Sequence, residues 1–121
     1  VGQAARAASL VLGLVEGDAD LIRFGMEDLI AVPRRRDLIA GFDAAAMAGR
    51  AAGAYGVTIS GAGSALLAIA PHDTSLTVAA AMAHALTGAG NPATPMTPGI
   101  SREGLTIASE ETPRPATPVG N

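Results

Sequence analysis

One segment constrains the fold more than any other: Thr58-Ile59-Ser60-Gly61-Ala62-Gly63-Ser64-Ala65-Leu66-Leu67-Ala68-Ile69-Ala70. Val57 and Ile59 are strand formers that run into a corner of small residues, 60–64. An apolar run, 65–70, leaves that corner. Two glycines with one residue between them let the backbone take positive φ and come close to another group. Their N–H groups can also line an anion-binding concavity. Two readings stand at this point. One is a tight hairpin between two core strands, the other a functional loop.

The chain has 121 residues, the usual size of one domain, and 49% of them are hydrophobic. Its aromatic residues are Phe24, Phe42 and Tyr55, so the core has to be built from Ala, Leu, Ile, Val and Met. Small side chains of this kind suit close helix–sheet packing. A net charge of −3 and the lack of aromatics beside basic residues argue against a nucleic-acid surface. With no cysteine there are no disulfides, no thiolate chemistry and no Cys-based zinc site, which fits a cytoplasmic protein. Residues 51–71 carry no charge and match the length of a membrane span. Glycines and polar residues cluster at the centre of that stretch, so it divides better into a helix end, a strand, a turn and a strand. No membrane partner is expected. The opening residues already read as the middle of an ordered element, so a piece of a longer protein is expected.

Hydrophobic spacing predicts a first helix over 1–16, with Ala4, Ala7, Ala8, Val11, Leu14 and Val15 facing the core and Gln3, Arg6, Ser9 and Glu16 facing away. Gly17 can end it as a left-handed cap and Asp18 can N-cap the next helix. The second helix is predicted over 19–31, with Ile22, Met26, Leu29 and Ile30 as its stripe. It should stop at Val32, because a residue before proline is pushed out of the α region. A bend at Pro33-Arg34-Arg35-Arg36-Asp37 follows. Asp37 is then the candidate N-cap of a third helix over 38–54, burying Leu38, Phe42, Ala45 and Ala46. Its glycines, Gly41, Gly49 and Gly53, make sense where another element packs very close. Strands are predicted at 57–59 and 65–70, and a turn at Pro71-His72-Asp73. A fourth helix capped by Thr74 or Ser75 runs to about Thr87. Residues 93–99 can only be an edge strand, given Pro95 and Pro98, and 105–108 form a weak final strand. The expected division is a domain over 1–109 and a disordered tail over 110–121. The order predicts an α+β fold, with helices packed on one face of a small antiparallel sheet.

Arg34, Arg35 and Arg36 follow a proline bend. They are either a solvated face or a guanidinium clamp for a carboxylate or phosphate. Asp28 or Asp37 can orient one of them. Glu27 and Asp28 are adjacent on a helix, point in different directions and do not form an acid/base pair. His72 and His84 have no partner at metal-ligand spacing. Ser60 lacks a Gly-x-Ser-x-Gly setting. No Gly-Lys-Ser/Thr loop occurs, and the chain has no lysine.

Two stretches together carry a family resemblance. Asp28-Leu-Ile-Ala-Val-Pro33-Arg34-Arg35-Arg36-Asp37-Leu38-Ile39-Ala40-Gly41-Phe42 resembles the Asp-x-x-x-x-Pro-Tyr-Arg-x-x-Leu-Ile-Pro-Gly-Phe segment of homoserine kinases. Ser60-Gly61-Ala62-Gly63, further on, resembles the third motif of the wider GHMP kinases. The first helix, ending in Gly17-Asp18-Ala19-Asp20, is similar to the opening of that family's C-terminal half. Arg34 stands where the family has tyrosine, Ala40 where it has proline, and Ser64-Ala65 where Pro-Ser or Pro-Thr is common.

The resemblance implies a ferredoxin-like C-terminal domain. It also implies transfer of the ATP γ-phosphoryl group, with Mg2+, to the hydroxyl of L-homoserine on the route to threonine. Arg35 would hold the homoserine carboxylate. Ser60, Gly61, Ala62 and Gly63 would support the phosphate loop of a separate N-terminal kinase domain. The family's Gly-Leu-Gly-Ser-Ser phosphate loop and magnesium-binding acid find no match here, so this chain alone should bind neither ATP nor Mg2+ and be inactive. A homodimer stays open. So do two other functions: another GHMP small-molecule kinase, and a non-catalytic ACT-like amino-acid-binding domain.

Overall fold

A computed structural model describes residues 1–107. The expected tail and Ala108 lie outside the described residues. Helix α1 (Gly2–Glu16) ends at Gly17, whose φ of 71° is the left-handed cap the sequence predicts. Helix α2 (Ala19–Met26) begins under Asp18, whose Oδ1 accepts from the N–H groups of Asp20 and Leu21, both at 2.9 Å. These two helices form a tight hairpin. A Cβ added at Gly13 would lie 2.7 Å from Ile22 N, and one at Gly25 would fall on the backbone of Leu10.

The inward face of α1 is the reverse of the expected one. Gln3, Arg6, Ser9 and Leu10 are the partly buried residues, while Val11 and Val15 are 64% and 75% exposed. The close crossing at Gly13 and Gly25 decides this, because the smallest residues lie on the polar stripe. The polar side chains then serve the partner helix. Gln3 Oε1 accepts from Leu29 N (2.9 Å) and Ser9 Oγ donates to Leu21 O (3.0 Å). Arg6 reaches Glu27 Oε2 at 2.8 Å and lies 4.5 Å from the centroid of the Phe24 ring.

Helix α2 stops at Met26, five residues earlier than expected. Asp28 is responsible: its Oδ1 accepts from Ile30 N and Ala31 N, both at 2.7 Å, a local turn that competes with helix. Leu29 and Ile30 are therefore exposed. A one-turn helix, α3 (Val32–Arg35), follows, with Pro33 in its first turn. A proline's missing N–H costs nothing there, so Pro33 opens a helical turn instead of closing one. A 3-10 turn, Arg36–Leu38, completes the segment.

Helix α4 (Phe42–Ala51) starts after Gly41, which takes φ 83° as N-cap. Asp37 does not cap it, and Leu38 is 82% exposed. The turn that closes with Phe42 N donating to Ile39 O (3.0 Å) puts Ile39 into the core in place of Leu38. The helix ends at Ala51, before Gly53 at φ 111°.

Strands β1 (Gly56–Ile59) and β2 (Leu66–Ile69) pair antiparallel, with Val57 opposite Ala68 and Ile59 opposite Leu66. Those four residues form the face that meets Phe42, Ala45 and Ala46 of α4 and Val78, Met82 and Leu86 of helix α5 (Ser75–Gly88). Ala45 is fully buried, and a Cβ at Gly49 would lie 2.9 Å from Met82 Sδ and 3.0 Å from Val57 Cγ2. The α+β layer with helices on the sheet is as the sequence predicts. The hydroxyls before α5 act differently from the expected caps: Thr74 Oγ1 donates to Pro71 O and Ser75 Oγ to His72 O.

Among the described residues the sheet has two strands. Residues 93–99 and 105–107 form none. Pro95 and Pro98 remove the ladder donors an edge strand would need. No helix among the described residues is long and apolar enough to cross a membrane.

Gly25→Ala should unfold at lower urea concentration, with a loss of about 1–3 kcal/mol from overpacking against Leu10. Gly88→Ala, where nothing lies within 4 Å of the added Cβ, should gain about 0.4–1 kcal/mol. Equal midpoints for the two variants would refute the close α1–α2 crossing.

Candidate functional site

The corner between β1 and β2 is a hairpin loop. Ser60 N donates to Ala65 O (2.8 Å) and Gly63 N donates to Ser60 O (3.0 Å), closing a turn across Gly61 and Ala62. Gly61 has φ 57° and Gly63 φ 89°, the left-handed region that costs an L-residue roughly 1–2 kcal/mol. Ser60, Gly61, Ala62, Gly63 and Ser64 are all exposed. The N–H groups of Gly61, Ala62 and Ser64 have no acceptor among the described residues. A turn of this kind leaves backbone donors free, and such donors can serve an approaching anion.

The second predicted stretch lies on α3 and the 3-10 turn after it. Arg34, Arg35 and Arg36 are exposed. Arg36 is engaged by two carboxylates, Asp37 through its Nε and Asp43 through its Nη1, each at 3.6 Å. Arg34 and Arg35 make no ion pair among the described residues. Asp28, expected as an arginine partner, is instead committed to the backbone of Ile30 and Ala31. Asp37 does contact an arginine, but Arg36 and not Arg35. Of the three arginines, Arg34 and Arg35 are therefore both left without an ion pair among the described residues.

Ile39 ties the two stretches together. It ends the arginine segment, it is buried in the core, and its Cδ1 would lie 3.5 Å from a Cβ at Gly63. Ile59 Cγ2 would lie 3.3 Å from the same Cβ. The glycine loop therefore lies next to the end of the arginine segment: a methyl group at position 63 would meet Ile39 at ordinary contact distance and Ile59 slightly closer. This contact is invisible to motif spacing, because it depends on which of Leu38 and Ile39 turns inward. Its only sequence signal is Gly41, which allows that turn.

His72 lies in the 3-10 turn before α5, and His84 is exposed on α5. Among the described residues no group of three or more His, Cys, Asp or Glu is placed to hold a metal ion.

A hairpin of this shape, covered by helices and carrying Ser-Gly-Ala-Gly at its tip, belongs to a defined class. Residues 10–90 match the family described as GHMP kinases C terminal, and the chain belongs to that family. Within it the similar proteins are homoserine kinases. That of Halorubrum lacusprofundi is 45% identical over 84 residues, 69% of this chain and 29% of the relative. That of Microchaete diplosiphon is 39% identical over 101 residues, 84% of this chain and 33% of the relative. The crystal structure of homoserine kinase from Cytophaga hutchinsonii superposes with a TM-score of 0.63 at 34% identity, covering 69% of this chain and 27% of that one. The chain spans about a third or less of the length of these relatives.

Gly63→Ala should destabilise the chain more than Gly61→Ala, by about 1 kcal/mol or more, because both need positive φ and only position 63 also meets side chains. Thermal melts of the two variants check this; equal Tm values would remove the Ile39 contact from the account.

Proposed function

We propose that this chain is the C-terminal, substrate-side part of a homoserine kinase. The full enzyme would transfer the ATP γ-phosphoryl group to the hydroxyl of L-homoserine, on the route to threonine. The observation that carries this reading is the seating of the glycine loop on the end of the Pro33-Arg34-Arg35-Arg36 segment, through Ile39, in a chain of this family. A free guanidinium and a loop of free N–H donors are the two fittings such a site requires from this half.

Phosphoryl transfer of this kind rests on positioning and charge stabilisation. Arg35 would grip the acceptor carboxylate, where a planar guanidinium can donate two parallel hydrogen bonds. That grip would orient the acceptor hydroxyl. Ser60, Gly61, Ala62 and Gly63 would close beside the phosphate loop of an N-terminal kinase domain, with the exposed N–H groups of the turn facing the triphosphate. The turn's backbone is already ordered, so the donors need little reorganisation when phosphate arrives. Magnesium in such a reaction neutralises charge on the transferring group. The described residues do not fit a magnesium site, and no ligand for it is assigned to them.

The N-terminal kinase domain is the partner in this reading. The exposed apolar stripe of α1, with Val11, Leu14 and Val15, supports a large covering partner. The isolated chain would then be inactive, and the whole enzyme cytoplasmic.

Arg34 favours one second reading. Arg34 and Arg35, both without an ion pair among the described residues, stand where homoserine kinases have Tyr-Arg, and Ala40 stands where they have proline. In that reading another small hydroxylated molecule is the acceptor of the same GHMP chemistry.

In the enzyme that includes the kinase domain, Arg35→Ala should raise the KM for L-homoserine roughly 10- to 100-fold, the loss of a charged hydrogen-bonding pair. The KM for ATP should stay nearly constant. Arg36→Ala should have a smaller effect, since Asp37 and Asp43 already hold that side chain. An unchanged homoserine KM in Arg35→Ala would remove Arg35 from the site. Faster turnover of mevalonate or a sugar than of homoserine would favour the second reading.

A further inference from the structure

A second concavity, of about 490 Å3, opens at the other end of β1 from the glycine loop. Gly56 begins that strand and Ile59 ends it just before Ser60, so the two places are separated by roughly 10 Å at about 3.3 Å per residue. The last turns of α2 and α4 and the chain leading into β1 border it, and it is open to solvent on one side. Arg23, Glu27, Arg50 and Tyr55 form its polar and aromatic walls. Met26, Ala54 and Gly56, all buried, form its floor. The floor depends on Gly56, since a Cβ there would lie 2.5 Å from Met26 Cβ.

The charges around this concavity pair off with one left over. Arg23 is held by Asp20 at 2.6 Å, and its guanidinium carbon lies 5.8 Å from the centroid of the Tyr55 ring. Glu27 is engaged by Arg6 at 2.8 Å. Arg50 makes no ion pair among the described residues. Asp20 cancels Arg23 and Arg6 cancels Glu27, so the uncompensated charge is the single positive charge of Arg50. Arginine in the last turn of a helix also complements the helix dipole, and both Arg23 and Arg50 occupy such positions. That role explains each arginine separately. It does not explain why two helix ends bring their arginines to one concavity with an aromatic ring and an apolar floor.

We infer that this concavity is a binding site, distinct from the glycine loop, for a small organic anion with a compact apolar or aromatic body. Arg50 supplies the charge-assisted hydrogen bonds to the anion. Arg23, paired with Asp20 and 5.8 Å from the centroid of the Tyr55 ring, presents a second guanidinium. Tyr55, Met26 and Ala54 take the apolar body. The volume lies within the range of small-molecule sites, about 300–1,000 Å3. Carboxylates and phosphate monoesters share the required chemistry. The site stands independently of the proposed kinase function, because none of its residues belongs to the arginine segment or the loop.

The test is a residue-resolved NMR titration of the full chain with benzoate and, separately, with inorganic phosphate, at constant ionic strength. Saturable shifts centred on Gly53, Tyr55, Gly56 and the Arg50 side chain are expected for at least one probe. Tighter binding of benzoate would identify the carboxylate source, and tighter binding of phosphate the phosphoryl source. Arg50→Ala should weaken the preferred probe at least about tenfold, Arg50→Lys less, and Arg35→Ala not at all. Tyr55→Leu, which keeps an apolar side chain in place, should weaken benzoate more than phosphate. Linear, unsaturated shifts spread over all the arginines would overturn the inference. So would saturable binding that Arg35→Ala abolishes and Arg50→Ala leaves intact.

Discussion

The close approach of α4 to the hairpin and to α5 is the contact on which the rest of the structure depends. It is made by small residues. Ala45 and Ala46 meet the β1–β2 face, and Gly49 leaves space that Met82 and Val57 fill. Phe42 is the one aromatic side chain in this core cluster, so no second ring is available to fill a gap. Dispersion falls steeply with separation, so a core built from Ala, Val, Ile and Met holds together only where backbones come near. Gly41, Gly49 and Gly56, where an added Cβ would come within 3.0 Å of a neighbour, are the consequence of that requirement.

The candidate site inherits its geometry from this core. Ile39 is at once the last residue of the arginine segment, a core residue under Phe42, and the surface on which the glycine loop rests. A change in how α4 begins therefore moves both the loop and the arginines. Gly41, at φ 83°, sets where α4 begins. Of the three arginines, two carboxylates hold Arg36, which leaves Arg34 and Arg35 free of internal partners. Charge pairing, and not position in the motif, decides which guanidinium is available.

Helix α1 shows how a polar stripe can face inward. Arg6 is only 16% exposed at its side chain, pairs with Glu27 and stacks on Phe24, while its Nε has no hydrogen-bond partner. Leaving one donor unpaired is unfavourable, but the ion pair and the aromatic contact offset it. The same arrangement leaves the apolar stripe of α1 on the surface. In relatives about three times as long, much more chain is present to meet such a surface.

Much of the architecture was legible in local sequence. Gly17 and Asp18 end one helix and start another through their own conformational preference and capping. Ser60-Gly61-Ala62-Gly63 makes a hairpin turn because glycine alone takes those φ values cheaply, and Val57, Ile59, Leu66 and Ala68 alternate as a half-buried strand pair must. The candidate site was legible as two motifs, but not as one place. Only the tertiary structure decided that α2 stops under Asp28, that Pro33 opens a turn, that Ile39 and not Leu38 enters the core, and which face of α1 is covered. Each of these is a competition between alternatives of nearly equal local free energy. At Asp28 and Pro33 a local turn wins that competition, while for Ile39 and the face of α1 contacts with residues distant in sequence settle it.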